Sequence, residues 1–230
     1  MRISVIIPTY NEEKTIKRTL DALMRYGDDL LEEIIVVDGK SEDKTVDIAS
    51  ELGARVMVSD TRSRAAQMNE GARKANGNLL YFVHADTLVP EGYATDIIQA
   101  MKEGWKMGNF RYDFDKDSFL LSLNAYFTKY SWLVTQGGDK TFFILKDLFF
   151  ELGAYDTYWT IMEEYDFVKR ADKAGHAIIT LPKKCIVSAR KYHHNSWLRV
   201  QIANFVVFNL WKLGLAGPDK LKAVYGKILK

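Results

Sequence analysis

Between residues 1 and 90, short apolar runs alternate four times with segments of helical periodicity, and that alternation leaves few folds open to the chain. Residues 2–7 are rich in β-branched side chains and stop at Pro8, which reads as a buried strand. Asn11 is a candidate helix N-cap, with Glu12 and Glu13 in the first turn, Ile16, Leu20 and Leu23 at helical spacing, and Gly27 as the stop. Residues 33–37 form a second apolar run that closes on Asp38-Gly39. Ser41 is expected to cap the next helix, whose apolar face is Val46, Ile48, Ala49 and Leu52 before Gly53 ends it. Residues 55–58 read as a third strand. Residues 61–75 read as a helix with Ala65, Met68, Ala72 and Ala75 inward, and residues 79–83 as a fourth strand ending at His84-Ala85-Asp86.

Alternation of this kind predicts an α/β fold with a mostly parallel central sheet and helices on both faces. Ligands of such sheets bind beyond the carboxyl ends of the strands. Thr9-Tyr10-Asn11-Glu12, Asp38-Gly39 and His84-Ala85-Asp86 all fall at those ends, so three polar clusters are expected in one crevice. The second half is less regular. It suggests a helix over 92–103, a strand over 108–114 and an aromatic-rich helix over 119–133. A Gly137-Gly138-Asp139 loop leads into a strand over 141–145, and a helix over 163–174 stops at Gly175. No repeat or linker divides the chain. Residues 1–230 are expected to form one domain with a nucleotide-binding half (1–90), an acceptor half (91–195) and an aromatic C-terminal segment (196–230).

Composition narrows the function classes. Lys plus Arg is 32 against 30 for Asp plus Glu, a formal charge of +2 that gives no reason to expect nucleic-acid binding. A lone cysteine, Cys185, rules out an intrachain disulfide and points to a reducing, cytoplasmic setting. The opening apolar run is too short for a signal peptide. Residues 196–215 are apolar and aromatic, but Arg199, Gln201, Asn204, Asn209 and Lys212 make them a poor spanning helix. Two readings stay open for this segment. It packs on the protein or in a homodimer interface, or it lies at a membrane surface with Trp and Lys at its edges. The second reading would place the protein peripherally at the inner face of a membrane and suggest a lipid-linked acceptor.

Several residues carry candidate chemistry. Asp38 either caps the following helix or accepts a hydrogen bond from a base or ribose. Asp86, at a strand end, either starts a turn or binds Mg²⁺ or Mn²⁺, hard cations that take one or two carboxylates plus substrate phosphates. Glu163-Glu164-Tyr165-Asp166 puts three carboxylates at a helix start, where the dipole favours them. One of them could also act as a general base, its pKa raised by like charge. Arg62, Arg64, Lys140, Arg190 and Lys191 are candidate phosphate contacts. His193 and His194 are either surface residues or metal ligands.

Taken together the motifs resemble family 2 glycosyltransferases, which have the GT-A nucleotide-diphospho-sugar transferase fold. The resemblance runs in order through Val5–Glu13, Val36–Thr45, Ser63–Asn69, His84–Asp86, Gly137–Asp139, Met162–Glu164 and Ser188–Lys191, over roughly residues 1–195. It implies a metal-dependent, inverting transfer of a sugar from a nucleotide-diphosphate donor to an acceptor that the sequence does not name. It places Pro8, Thr9, Tyr10, Glu12 and Asp38 around the base and ribose, with Arg64 and Arg190 near the diphosphate. It makes Asp86 the metal ligand and Asp139 an acidic neighbour of sugar and acceptor. His84-Ala85-Asp86 occupies the place of the D-x-D motif, as in one subgroup, so His84 is not counted as a second carboxylate. Glu164 stands where the family has the Asp of its base motif, one methylene longer, and Glu163 is the fallback. Lys191 replaces an expected arginine. Two other functions stay open: a catalytically impaired nucleotide-sugar-binding module, for which His84 and Glu164 speak, and a nucleotidyltransferase. The latter would want a glycine-rich basic loop where Thr9-Tyr10-Asn11-Glu12 stands.

Overall fold

The structure, a computed structural model, describes residues 1–130 and 132–229; residue 131, inside the helix expected over 119–133, and residue 230 lie outside the description. The four alternations of the first half are present. Strand β1 (Ile3–Thr9) leads to helix α1 (Ile16–Tyr26), β2 (Leu31–Asp38) to α2 (Thr45–Glu51), and β3 (Arg55–Val58) to α3 (Arg64–Lys74) before β4 (Leu79–Phe82). The second half adds α4 (Tyr93–Lys102), β5 (Met107–Phe114), α5 (Phe119–Phe127), β6 (Phe142–Leu145), α6 (Lys146–Glu151) and α7 (Glu163–Lys173). It ends with β7 (Ile179–Val187), α8 (Lys191–His194), α9 (Trp197–Lys212) and α10 (Pro218–Ile228).

All seven strands form one sheet in the order β3-β2-β1-β4-β6-β5-β7, so the two halves of the chain share a single backbone ladder. Every pairing is parallel except those of β6, which runs against β4 and β5. Because β6 is reversed, its start at Phe142 lies on the edge where β1, β2 and β4 end.

Side-chain alternation along the strands sorts the core into two layers. Ile3, Val5 and Ile7 of β1, with Val36 and Tyr81, face Ile16, Leu20 and Leu23 of α1 and Ile97 and Met101 of α4. Ile6, Val37, Leu80 and Phe82 face the other way, onto Met68 and Ala72 of α3, Phe149 of α6 and Phe167 of α7. Both faces of the sheet are covered, and that is why the strands of the first half read as unbroken apolar runs.

Several local expectations need correction. Asn11 does not cap α1. It takes a left-handed backbone (φ 54°), and the helix begins only at Ile16, with Glu12 and Glu13 in the preceding loop. Ser41 does not cap α2, which starts four residues later. Its hydroxyl instead donates to Asp38 and accepts from the Asn11 amide. The helix expected over 61–75 begins at Arg64, and the aromatic one over 119–133 stops at Phe127. Strand β7 escapes sequence reading because Pro182 interrupts it. A proline is tolerated there because β7 is an edge strand and its register slips at this point: Leu181 pairs with Phe110 but Lys184 with Arg111.

Helix α3 lies close on the sheet at Gly71, where an added Cβ would come within 2.6 Å of Ile6 Cγ2 and 3.1 Å of Val37 Cγ2. Alanine is the better helix former by about 1 kcal/mol, whereas overpacking a core costs about 1–3 kcal/mol. We therefore expect Gly71→Ala to lower the urea midpoint with an unchanged m-value; a raised midpoint would show that the helix can lift off the sheet at no cost.

Candidate active site

The strand order reverses direction between β1 and β4, and a cleft of about 960 Å³ opens beyond the strand ends there. Its floor comes from Pro8 and Thr9 at the end of β1, Tyr10 and Glu12 just after it, and His84, Ala85 and Asp86 after β4. Arg64 enters from the start of α3, Gly138 and Asp139 from the loop before β6, Glu163 and Glu164 from the start of α7, and Arg190 and Lys191 from the segment after β7.

Asp38 is the exception among the expected cleft residues. It is buried behind Thr9, and its carboxylate accepts from the Thr9 hydroxyl (3.0 Å), the Ser41 amide (2.7 Å) and the Ser41 hydroxyl (2.5 Å). It therefore shapes the tip of β2 rather than lining the cleft. Arg62 also departs from expectation, since its guanidinium sits 3.3 Å over the Tyr10 ring. Lys140 is buried beneath the cleft, where Nζ donates to Asn109 Oδ1 at 3.2 Å, and burial alone lowers its pKa to about 7. His193 and His194 lie exposed on α8, away from the cleft.

Charge crowds the cleft. Arg64 Nε lies 3.6 Å from Glu163 Oε1 and its Nη2 3.5 Å from Glu164 Oε1. Nη2 also approaches both ring nitrogens of His84, at 3.1 and 3.2 Å. A guanidinium only donates, so the imidazole there must accept and be neutral. Burial, aided by Arg64, lowers the His84 pKa to about 3. Glu164 Oε2 accepts from the Gly138 amide at 2.8 Å, yet burial and the neighbouring Glu163 and Asp139 outweigh that bond and Arg64 and push its pKa up to about 8. Arg190 holds Glu12 at 2.7 and 2.9 Å and reaches Asp86 Oδ2 at 3.4 Å. Burial, with Glu12 and Asp139 nearby, raises Asp86 above its ordinary value despite Arg190. Burial opposes ionisation of Asp139 too, but there the touching Lys191 prevails and its pKa is lowered.

Five carboxylates thus face three cations around the cleft: Glu12, Asp86, Asp139, Glu163 and Glu164 against Arg64, Arg190 and Lys191. With all of them ionised the lining carries two excess negative charges. A divalent cation cancels that excess, and a proton on Glu164 halves it. Among the described residues no three His, Cys, Asp or Glu side chains cluster as a metal cage. One carboxylate at Asp86, with space for phosphate oxygens beside it, fits the way Mg²⁺ or Mn²⁺ is held jointly by protein and substrate.

Backbone geometry fixes these groups. Asp86 sits in a turn closed by the Thr87 amide donating to the His84 carbonyl, and the Thr19 hydroxyl of α1 holds the Ala85 carbonyl at 2.9 Å. Met162, just before α7, has φ 75°, a left-handed conformation that costs a non-glycine residue about 1–2 kcal/mol. It aims Glu163 and Glu164 inward. Gly137 passes flat against Tyr165, whose ring would stand 2.3 Å from any Cβ there.

Sequence reasoning assigned no role to Gln67 or Asn69. Gln67 Nε2 donates to the carbonyls of Thr9 (2.9 Å) and Val37 (2.7 Å), tying the tips of β1 and β2. Asn69 exchanges two hydrogen bonds with the Tyr155 backbone. A polar residue on the buried face of α3 was the available signal for both.

Comparison with known proteins decides the family. Residues 4–158 match the sequence model of glycosyl transferase family 2. The chain belongs to that family. Over 192 residues it is 28% identical to a dolichyl N-acetyl-alpha-D-glucosaminyl phosphate diacetamido-dideoxy-glucuronosyltransferase of Methanococcus voltae, covering 74% of this chain and 59% of that one. Over 109 residues it is 31% identical to dolichol-phosphate mannosyltransferase of Pyrococcus furiosus, covering 45% and 31%. The chain thus spans 31% to 59% of the length of these relatives. In fold it resembles the mannosyltransferase PcManGT of Pyrobaculum calidifontis, solved with GDP-Man and Mn²⁺ (TM-score 0.67, 20% identity, 98% of this chain and 68% of that one). It also resembles glucosyl-3-phosphoglycerate synthase of Mycobacterium tuberculosis, solved with Mn²⁺ and UDP (0.63, 19%, 89% and 78%). These GT-A neighbours agree with the α/β architecture described above.

Replacing Gln67 with leucine removes both donors to the strand tips while keeping volume. A buried acceptor left short of a donor costs about 1–3 kcal/mol. We expect Gln67→Leu to lower stability by that amount in urea denaturation; a loss below about 0.5 kcal/mol would mean that other donors satisfy these carbonyls.

Proposed function

We propose that the protein is an inverting glycosyltransferase that moves a sugar from a nucleotide-diphosphate donor to a hydroxyl of an apolar, lipid-linked acceptor. The observation that carries this reading is the excess of carboxylates over cations in a cleft at the ends of β1 and β4. Such a lining repels a diphosphate unless a cation accompanies it, so donor and divalent metal are expected to bind together.

In this reading the nucleotide lies over Pro8, Thr9 and Tyr10, with Asp38 and Gln67 holding the strand tips beneath it. Asp86 would hold Mg²⁺ or Mn²⁺, which supplies charge neutralisation for the departing diphosphate. Arg64 and Arg190 are both partly exposed and reach the same region, so each can exchange a carboxylate partner for phosphate oxygens. Lys191 keeps Asp139 ionised next to the sugar. His84 remains neutral and offers a hydrogen bond rather than a charge.

The acceptor hydroxyl attacks the anomeric carbon as the bond to the diphosphate breaks. Glu164 takes the hydroxyl proton. Its raised pKa suits that task, because a base near the working pH both accepts a proton readily and is partly ionised. The acceptor enters opposite the nucleotide, where Phe127, Trp132, Trp197 and Phe205 line the cleft. That apolar approach favours an acceptor on an apolar carrier, and the two relatives above act, by name, on dolichyl-linked substrates.

A thermal-shift series with UDP-, GDP- and TDP-sugars, with and without Mn²⁺, tests the reading, since a ligand that binds only the folded state raises its melting temperature. We expect one donor class to give a shift that requires Mn²⁺, and Asp86→Ala to remove the metal-dependent part alone. No shift with any donor, or the same shift in Asp86→Ala, would overturn the metal-linked donor site. With a donor identified, Glu164→Gln should cut turnover by about 10²–10⁴-fold while keeping the donor shift. The wild-type rate should rise as pH climbs through about 8, rather than through the ordinary carboxylate range, because Glu164 works in its ionised form. A rate that stays flat across that window assigns the proton to another group.

A further inference from the structure

We propose that helices α5 and α9 together form a docking surface for an anionic lipid bilayer, with the cleft opening between them. This rests on the acceptor reading above and extends it from the substrate to the surface on which the protein works. The first observation is exposure. Helix α5 turns Phe119, Leu120, Leu123 and Phe127 to solvent, and Phe119 is 82% exposed. Helix α9 does the same with Leu198, Ile202 and Phe205, joined by Leu213 at its C-cap, spaced four, three and eight residues apart along one side, and Phe205 is 71% exposed. The opposite side of α9 buries Val200, Ala203, Val207 and Trp211 against the protein. A helix apolar on both sides, with one side left in water, calls for a second cover.

The second observation is that the two helices frame one mouth. Tyr192 sits between them: its hydroxyl lies 3.4 Å from Asn124 Nδ2 of α5 and 3.5 Å from Gln201 Nε2 of α9. Phe127 and Phe205 line the cleft and also stand on the exposed rim. An acceptor could therefore place its polar end at Glu164 while its apolar carrier stays outside.

The third observation is charge and aromatic composition, which selects a lipid surface over a second protein. Neither α5 nor α9 contains an aspartate or glutamate; α9 carries Arg199 and Lys212, Lys129 follows α5, and the exposed Asp115 and Asp117 before α5 are the acids at its far end, beside Lys116. Lys129 Nζ lies 3.7 Å over the Tyr126 ring, and Trp132 stacks on Tyr130 with ring centres 4.6 Å apart. Tyrosine and tryptophan fringed by lysine is the composition that settles at the boundary between headgroups and acyl chains. No helix among the described residues is long and apolar enough to cross a membrane, so the contact would be made from one side.

Vesicle flotation with the full chain tests this. We expect the protein to float with phosphatidylcholine vesicles containing phosphatidylglycerol, several-fold more than with pure phosphatidylcholine, and less as salt is raised. The double variants Phe119→Ser/Leu123→Ser and Leu198→Ser/Leu213→Ser alter only exposed side chains outside the cleft. Each should fall to background flotation while keeping its melting temperature and the donor-induced shift. Failure of the wild type to float, or full flotation of both variants, would overturn the surface. So would a wild-type dimer in light scattering that these substitutions convert to monomer, because the face would then be a protein interface. Vesicle binding without any donor shift would instead leave the surface standing and remove the transferase reading.

Discussion

Parallel pairing governs this molecule. Two parallel strands cannot be joined by a tight turn, so each of β1, β2 and β3 returns through a helix, and the tips of β1, β2 and β4 finish on one edge of the sheet. Burial of both sheet faces leaves that edge as the place where the polar residues ending each strand can gather. The reversed strand β6 starts on the same edge and delivers Gly138 and Asp139 there. Without that common edge, acids as far apart in the chain as Glu12 and Glu164 would not share a cleft.

What gathers there is both buried and electrostatically unbalanced, and burial together with that imbalance sets the shifted groups. Each cation serves more than one carboxylate or ring: Arg64 joins Glu163, Glu164 and His84, and Arg190 joins Glu12 and Asp86. Buried charges need partners, and here partners are fewer than charges. Burial first, and the like-charged neighbours second, push the Glu164 pKa up to about 8 and raise that of Asp86. The left-handed backbone at Met162 directly precedes the two glutamates that Arg64 joins.

Beyond the charged centre the cleft changes character within a few residues. Tyr192 lies one position past Lys191, and from it the walls pass to α5 and α9, which are apolar and partly uncovered. The charged cleft thus opens onto an apolar rim, the contrast on which the proposed lipid-linked acceptor rests.

Much of this was legible in the chain. The strands β1 to β4, the core positions Ile16, Leu20, Leu23, Met68 and Ala72, and the clustering of Thr9, Glu12, His84 and Asp86 follow from short-range periodicity and the position of strand ends. These are local properties, because a strand buried on both faces must be apolar throughout and its polar residues must wait for the end. Tertiary structure decided the rest. It buried Asp38 behind Thr9 and Lys140 under the cleft, set Arg62 on Tyr10, and let Pro182 sit inside edge strand β7. It also decided which acid keeps a proton, since that depends on the summed field of groups distant in sequence. The sequence determined which residues could meet, through periodicity. Only the packed molecule determined which of them face water and which charges they must share, because burial and electrostatic coupling arise between elements and not within them.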